Sequence, residues 1–223
     1  MSKAVNYKSC FDIIGPIMVG PSSSHTAGAL AIGNVAYKLF KGLPKKVVVR
    51  YYESFAETHK GHGTDYAIIS GVLGFAADDP RVPKAIEIAK SKGIDITFIE
   101  EKDDSPIGHP NTADVYLEDE THSIRTIGIS VGGGIIEIKH IEMDGFSFDL
   151  QGTLPVCLAI TKRKDFKPIM LHFFAKYNVK VNMAKHFEAD GKYLYEFDLD
   201  SPLPTAGKEE LSHIDDQANI ILL

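Results

Sequence analysis

Hydrophobic and polar positions alternate with two different periods along the last third of the chain. Apolar positions with a period of two are typical of strands, and apolar positions with helical spacing are typical of amphipathic helices. The elements predicted in this order are Leu154–Thr161 (strand), Asp165–Tyr177 (helix), Val179–Phe187 (strand), Tyr193–Leu199 (strand), Pro204–Ile214 (helix) and Asn219–Leu222 (strand). Asp190-Gly191 is a hairpin-turn sequence between the two middle strands. The order β-α-β-β-α-β predicts a ferredoxin-like module.

The preceding residues mix helical and strand patterns without that regular order. The pattern predicts a short element at Phe11–Met18 and then helix 26–41, strand Lys46–Tyr52, loop 57–63, helix Asp65–Ala77, helix Val82–Lys92 and strands Ile94–Ile99, Asp114–Glu118, Ser123–Ser130 and Gly134–Glu142. Gly42, followed by Pro44, is typical of a helix C-terminus. Asp144-Gly145 and Gln151-Gly152 interrupt the pattern, so we place a boundary near 143–151. The fold class is therefore predicted to be α+β, with one domain at 1–143 and a second at 150–223.

Composition narrows the class of protein. The chain has 223 residues, of which 44% are hydrophobic, and a net charge of −6, which suits one or two globular domains. Without basic runs we expect no nucleic-acid partner, and without a long apolar segment or a signal peptide we expect no membrane partner. Cys10 and Cys157 are too few to ligate an iron–sulfur cluster, and they favour a cytoplasmic protein.

The most informative stretch is Gly20-Pro21-Ser22-Ser23-Ser24-His25-Thr26-Ala27-Gly28, directly before a helical pattern. Serine or threonine at a helix start satisfies unpaired backbone N–H groups, and the helix dipole attracts anions there. One serine is enough for a cap, whereas this stretch has three together with His25. It therefore predicts a site for a carboxylate or phosphate, with an imidazole beside it; an ordinary capped helix is the alternative.

Three further stretches carry candidate chemistry. His59-Lys60-Gly61-His62-Gly63-Thr64-Asp65 combines two glycines with a second predicted helix start, where Thr64 or Asp65 is expected to cap. His109-Pro110-Asn111-Thr112 lies on a predicted loop, and Gly132-Gly133-Gly134 allows backbone geometry that side chains would block. Each of these, taken alone, is also compatible with an ordinary turn.

Two other site types must be weighed. His25, His62 and His109 are candidates for a zinc site, but they lack the local spacing that makes such a site recognisable, so we assign no metal ligand. A serine nucleophile activated by histidine is disfavoured, because neighbouring Ser and His rarely face each other and no G-x-S-x-G motif is present.

Four of these motifs, in this order, resemble iron–sulfur-dependent L-serine dehydratases, specifically the β chain of the two-chain form. They are Ile14-Gly15-Pro16-Ile17-Met18-Val19-Gly20-Pro21-Ser22-Ser23-Ser24-His25-Thr26, Lys60-Gly61-His62-Gly63-Thr64-Asp65, His109-Pro110-Asn111 and Ser130-Val131-Gly132-Gly133-Gly134. The first domain resembles the allosteric-substrate-binding domain, and the second resembles an ACT domain.

The resemblance implies conversion of L-serine to pyruvate and ammonia (L-serine ammonia-lyase). It implies a [4Fe-4S] cluster held by a partner α chain, acting as a Lewis acid on the substrate hydroxyl, and a β chain that is inactive alone. The catalytic candidates are His25 and His62. The substrate-binding candidates are Ser22, Ser23, Ser24, Thr26, Gly63, Thr64, Asp65, His109 and Asn111.

The ACT resemblance has one departure. Amino-acid-binding members often carry Asp-x-Pro-Gly after the first strand, whereas this chain has Asp165-Phe166-Lys167-Pro168-Ile169 without glycine. We therefore expect self-association through the ACT domain rather than amino-acid sensing. The alternative for the whole chain is a non-catalytic module that senses an amino or hydroxy acid for another enzyme.

Overall fold

The computed structural model describes residues 17–223, and these fall into two compact units that divide between Asp144 and Gly145. Cys10 and most of the element predicted at 11–18 lie outside the described residues. Helices and mixed sheets are both present, which confirms the α+β class. No helix within residues 17–223 is long and apolar enough to cross a membrane.

The first unit is built on a sheet with helices on one side. Its elements are α1 (Gly28–Phe40), β1 (Lys46–Tyr51), α2 (Glu53–Thr58), α3 (Thr64–Val72), α4 (Ala85–Ser91), β2 (Asp95–Glu100), β3 (Thr112–Glu118), β4 (Ser123–Gly132) and β5 (Ile135–Met143). Within this unit the strand order of the sheet is β2-β1-β3-β4-β5. Strand β6 (Phe146–Asp149) follows the division and belongs to the second unit. β1 pairs in parallel with β2 and antiparallel with β3.

Helix α1 packs so closely against α3 and β4 that several contact positions have no room for a side chain. A Cβ on Gly33 would lie 2.2 Å from the carbonyl oxygen of Ile68 in α3, and one on Gly71 of α3 would lie 2.2 Å from that of Leu30. A Cβ on Gly128 of β4 would lie 2.9 Å from the Ile32 side chain. Glycines therefore let α1 pack directly against both α3 and β4.

The structure corrects several helix boundaries. Helix α1 ends at Phe40 rather than at 41, because Lys41 takes the left-handed conformation (φ +58°) and the helix stops before Gly42. Helix α3 ends at Val72, five residues before the predicted Ala77. A 3-10 turn at Val82–Lys84, which contains Pro83, replaces the first turn of the third predicted helix.

The second unit contains β7 (Val156–Thr161), α5 (Phe166–Lys176), β8 (Val181–Ala189), β9 (Lys192–Leu199), α6 (Thr205–Leu211) and β10 (Asn219–Leu222). The strands form a sheet of order β10-β7-β9-β8 in which the neighbours are antiparallel. Phe166, Phe174 and Phe197 are fully buried in its core. The assignment of this unit as an ACT domain stays a prediction.

One face of β9 carries two buried carboxylates. Glu196 is 1% exposed and Asp198 is 5% exposed. Both Glu196 oxygens and Oδ1 of Asp198 lack a hydrogen-bond partner among the described residues. Burial raises the pKa of Glu196 to about 7 and also raises that of Asp198. A Cβ on Gly152 would lie 2.2 Å from Oδ2 of Asp198, so the chain before β7 closes over this pair.

The close packing of α1 on α3 predicts that Gly33→Ala destabilises the chain. The added methyl group meets backbone rather than a flexible side chain, so overpacking of about 1–3 kcal/mol should exceed the helix-propensity gain of up to ~1 kcal/mol. Urea unfolding measures the difference. Gly42→Ala is the control, since a Cβ there meets nothing within 4 Å. A Gly33→Ala chain as stable as the Gly42→Ala chain would contradict the packing argument.

The buried Glu196 predicts a pH-dependent effect of Glu196→Gln. The native pKa of about 7 lies above the ordinary glutamate value of 4.5, so the carboxyl destabilises the fold increasingly as pH rises from 4.5 through 7. The variant should therefore gain stability over the parent chain at pH 8 and much less at pH 5. Urea unfolding at both pH values, with hydrogen exchange of the β9 amides, measures this. An equal effect at both pH values would show that ionisation is not responsible.

Candidate active site

The Ser-rich stretch forms a π-helical turn, Ser23–Ala27, that leads directly into α1. Ser22 is extended and begins the turn: its Oγ accepts a hydrogen bond from the His25 N–H at 3.1 Å. Its carbonyl oxygen accepts from the N–H of Thr26 at 2.8 Å and from that of Ala27 at 3.3 Å. Ser22 therefore stabilises the wide turn that carries His25.

Hydroxyl groups surround the half-buried His25 ring. Nδ1 lies 3.0 Å from Ser24 Oγ and 3.4 Å from Ser22 Oγ, and Nε2 lies 3.3 Å from Ser54 Oγ at the start of α2. A hydroxyl donates or accepts as needed, so this setting suits a neutral imidazole. Burial, and secondarily the neighbouring His62, lower the pKa of His25 below 6.5. At neutral pH the ring is therefore able to accept a proton.

The contact between Ser24 and His25 corrects an expectation. Adjacent Ser and His were expected not to face each other, yet the π-helical turn brings Ser24 Oγ to 3.0 Å from Nδ1. The other ring nitrogen faces the Ser54 hydroxyl rather than a carboxylate. The arrangement therefore lacks the acid that orients histidine in a Ser–His–acid triad.

His62 lies beside His25, and Thr26 holds it there. The two imidazole rings are edge to face, with centroids 4.7 Å apart. The Thr26 hydroxyl donates to the carbonyl oxygen of His62 at 2.9 Å and accepts from the Ser22 N–H at 3.3 Å. The buried Thr26 side chain is thus already engaged in joining the two predicted segments.

Three other residues of this second segment have different positions. Gly63, with φ of +71°, is the N-cap of α3 and makes no side-chain cap, so the expected capping by Thr64 or Asp65 is wrong. A Cβ at Gly63 would collide with the Tyr66 ring at 2.2 Å. Thr64 is fully buried, and the Asp65 carboxylate lies 2.6 Å from Nδ1 of His59. Substrate contact by these three residues stays a prediction.

The His109–Asn111 segment forms hydrogen bonds with α2 and β4, two elements that border the site. The Asn111 N–H donates to His109 Nδ1 at 3.1 Å, and Asn111 Nδ2 donates to the Ser130 carbonyl oxygen at 3.3 Å. The N–H of Phe55, whose ring lies 5.2 Å from that of His25, donates to the Pro110 carbonyl oxygen at 3.2 Å. Burial lowers the pKa of His109, although Glu137 and Glu53 oppose the shift.

Ser54, Phe55 and Ser130 border the site; the first two were not singled out from the sequence, and Ser130 was named only as part of a motif. Ser54 and Phe55 lie on α2, a helix of six residues that is too short to show a period. Its first residue, Glu53, has a φ of +45° and accepts from the Ser105 N–H at 3.1 Å. A left-handed non-glycine residue is strained, and such strain is often found at functional sites.

Ser130 sets the distance between β4 and the start of α1. A Cβ at Gly28 would lie 2.1 Å from Ser130 Oγ, which is buried and has no hydrogen-bond partner among the described residues. Ser130 immediately precedes the β4–β5 hairpin, where Gly132, Gly133 and Gly134 all have positive φ. The first residue of α1 therefore has to be glycine for the helix start to reach this strand.

The residues that the structure describes supply no ligand set for a metal or cluster. Groups of three or more His, Cys, Asp and Glu with metal-binding placement are absent within 17–223. Cys157 is buried in the second unit, and burial raises the pKa of its thiol to about 12. Such a thiol is a poor ligand, since metals bind the thiolate.

The His25–His62 contact predicts the titration of His25 in the chain alone. We expect its midpoint, followed by NMR, to lie below 6.5. His62→Gln should raise it only partly towards 6.5, because burial is the larger cause and His62 the smaller. His172→Gln, at an exposed position, is the control. A His25 midpoint above 6.5, or one unmoved by His62→Gln, would contradict this electrostatic description.

Comparison with known proteins identifies relatives of this chain. A family model described as the serine dehydratase beta chain matches residues 9–140. The chain is 50% identical over 179 residues to the probable L-serine dehydratase, beta chain, of Bacillus subtilis strain 168, covering 79% of each protein. It is 41% identical to the L-serine dehydratase, beta chain, of Peptoniphilus asaccharolyticus, covering 65% of this chain and 64% of that one.

A further match is shorter. Over 76 residues the chain is 45% identical to L-serine dehydratase 2 of Escherichia coli K12, a match that spans 31% of this chain and 16% of that protein. The family match includes the π-helical turn, the His62 segment and the Asn111–Ser130 contact. The chain therefore belongs to the serine dehydratase beta chain family.

Proposed function

We propose that the π-helical turn, with His25 as proton acceptor, completes the active site of an L-serine dehydratase when this chain pairs with an α chain. The coarser statement follows from the family: the chain is the β subunit of a serine dehydratase, a lyase, and a β chain implies an α chain. The matched relatives are named as serine dehydratases, and nothing favours the alternative of an amino-acid-sensing module.

The observation that carries the proposal is the half-buried His25 among hydroxyls at the start of α1. Its lowered pKa leaves the ring neutral near pH 7, as a general base requires. Ser22, Ser23 and Ser24 are partly exposed, so a small substrate can reach them. The positive end of the helix dipole favours a carboxylate at the same place.

Under this proposal each group has a distinct role. The serine carboxylate is held by the hydroxyls of Ser22–Ser24, and His25 removes the α-proton. Loss of the substrate hydroxyl as water leaves aminoacrylate, which hydrolyses to pyruvate and ammonia. Thr26 acts by holding His62 rather than by binding substrate, because its buried hydroxyl is already engaged.

The proposal places the [4Fe-4S] cluster on the α chain. Cys157 does not fit a cluster ligand, for the reasons of burial and pKa given above, and Cys10 lies outside the described residues. This chain would then contribute substrate binding and proton transfer only. A cytoplasmic location and self-association of the second unit complete the proposal.

Anaerobic co-expression with the α chain tests the subunit role. We expect pyruvate formation from L-serine by the complex only, with iron and sulfide in the complex and none in this chain purified alone. An α chain that is fully active alone would overturn the shared active site.

His25→Gln in the same complex tests the proton acceptor. Loss of a general base should lower kcat/KM by about 10²–10⁴-fold, while the cluster absorbance is unchanged. His172→Gln again serves as the control for an exposed histidine. Near-normal turnover by the His25→Gln complex would exclude His25 as the base.

A further inference from the structure

We propose that His59 is a positioning residue that fixes His62 against His25 by bridging two carboxylates. His59 is 2% exposed, so it cannot touch a substrate and has to act through other residues. Its effect on turnover rests on the function proposed above, whereas its effect on the His25–His62 pair does not.

His59, Asp65 and Glu100 form a group of side chains joined by hydrogen bonds, which we call the clamp. Nδ1 lies 2.6 Å from Asp65 Oδ1 and Nε2 lies 2.9 Å from Glu100 Oε1. Its ring packs against that of the buried Tyr51, with centroids 4.8 Å apart. The clamp thereby joins the end of α2, the start of α3 and the end of β2.

The two nitrogens on opposite sides of an imidazole ring suit histidine to a position between two carboxylates. A ring that carries both protons donates to both carboxylates, whereas a neutral ring would turn a lone pair towards one of them. Lys60 Nζ also donates to Glu100 Oε1, at 2.7 Å. Hydrogen bonds from Lys60 and His59 lower the pKa of Glu100 to about 2. Asp65 thus faces the His59 ring, and Glu100 faces both the His59 ring and the Lys60 ammonium.

The clamp encloses the segment that carries His62. Backbone hydrogen bonds run from the Thr64 N–H to the His59 carbonyl oxygen and from the His62 N–H to the Thr58 carbonyl oxygen, both at 3.0 Å. The turn between them contains Gly61 and Gly63, which have little conformational preference of their own. The conformation of this turn therefore depends on hydrogen bonds at its two ends. The bond between the His59 and Asp65 side chains joins those ends.

Two contacts connect the position of the His62 segment to His25. The His62 carbonyl oxygen is the acceptor of the Thr26 hydroxyl, and the His62 ring is the titratable group that faces His25; the other groups around His25 are Ser22, Ser24, Ser54 and Phe55. If the turn loosens, His25 loses part of its burial and the neighbouring His62 ring. Both causes of its lowered pKa then weaken.

NMR of the histidine rings in the full chain tests this directly. In His59→Gln we expect the His25 midpoint to rise and the His62 resonances to shift or broaden, because both N–H groups of a Gln amide lie on one nitrogen and cannot reach two carboxylates that face opposite ring nitrogens of His59. Lys60→Gln is the matched control: it removes the other donor to Glu100 from an exposed position and leaves the clamp in place, so the His25 midpoint should not move. A folded His59→Gln chain with unchanged His25 and His62 signals would overturn the proposal.

A second variant keeps the proposal testable if His59→Gln does not fold. If circular dichroism shows that His59→Gln does not fold, Glu100→Gln weakens one arm of the clamp from its half-exposed side. It should move the His25 midpoint in the same direction by a smaller amount, and no movement would overturn the proposal.

Turnover by the complex with the α chain separates the two proposals. We expect His59→Gln to lower kcat at least fivefold, with little change in KM and with a shifted acid limb in the pH profile. If the NMR signals move while even His25→Gln keeps normal turnover, the clamp stands and the proposed role of His25 fails.

Discussion

The site depends on the close approach of α1 to α3 and β4. Gly33 and Gly71 allow backbone contact between α1 and α3, and Gly28 allows the Ser130 side chain to approach α1, at distances that a methyl group would prevent. This contact places the start of α1, and the π-helical turn before it, against segments that are remote in sequence. Without it, the hydroxyls of Ser22–Ser24 and the ring of His25 would lie on an ordinary capped helix.

Three layers of interaction then surround His25. The turn itself supplies Ser22 and Ser24, α2 supplies Ser54, and the glycine-containing segment before α3 supplies His62. The first layer is local and the other two need the tertiary fold. Partial burial by these neighbours, rather than a carboxylate partner, determines that His25 is neutral near pH 7. This is the state that a proton acceptor needs.

The sequence allowed prediction of the elements with a clear period and of the motifs that meet at the site. Strands such as Val156–Thr161 and Asn219–Leu222 lie within two residues of their predicted bounds. Helix α2 was not predicted, because six residues are too few to display a helical period. Strand β6 was not predicted, because it lies within the stretch 143–151 that was interpreted as the domain boundary. The caps at Lys41 and Gly63 depend on local φ values that tertiary contacts select.

The same limit applies to the site residues. The Ser-rich turn and the His62 segment carry unusual residue types at helix starts, so their importance was visible in the sequence. Ser54 has no distinguishing sequence context and Ser130 was named only within a motif; the fold brings Ser54 to His25 and Ser130 to Gly28. His59 was noted as part of a motif, but its two carboxylate partners come from residues 65 and 100, and no local pattern predicts that pairing.

The pH dependence of kcat/KM for the complex with the α chain tests the central claim most directly, because it reports the ionisation of the free enzyme. If His25 is the proton acceptor, kcat/KM falls as pH drops through a midpoint below 6.5 that coincides with the NMR titration of His25. An acid limb whose midpoint differs from that of His25, or one that persists unchanged in His25→Gln, would contradict the account.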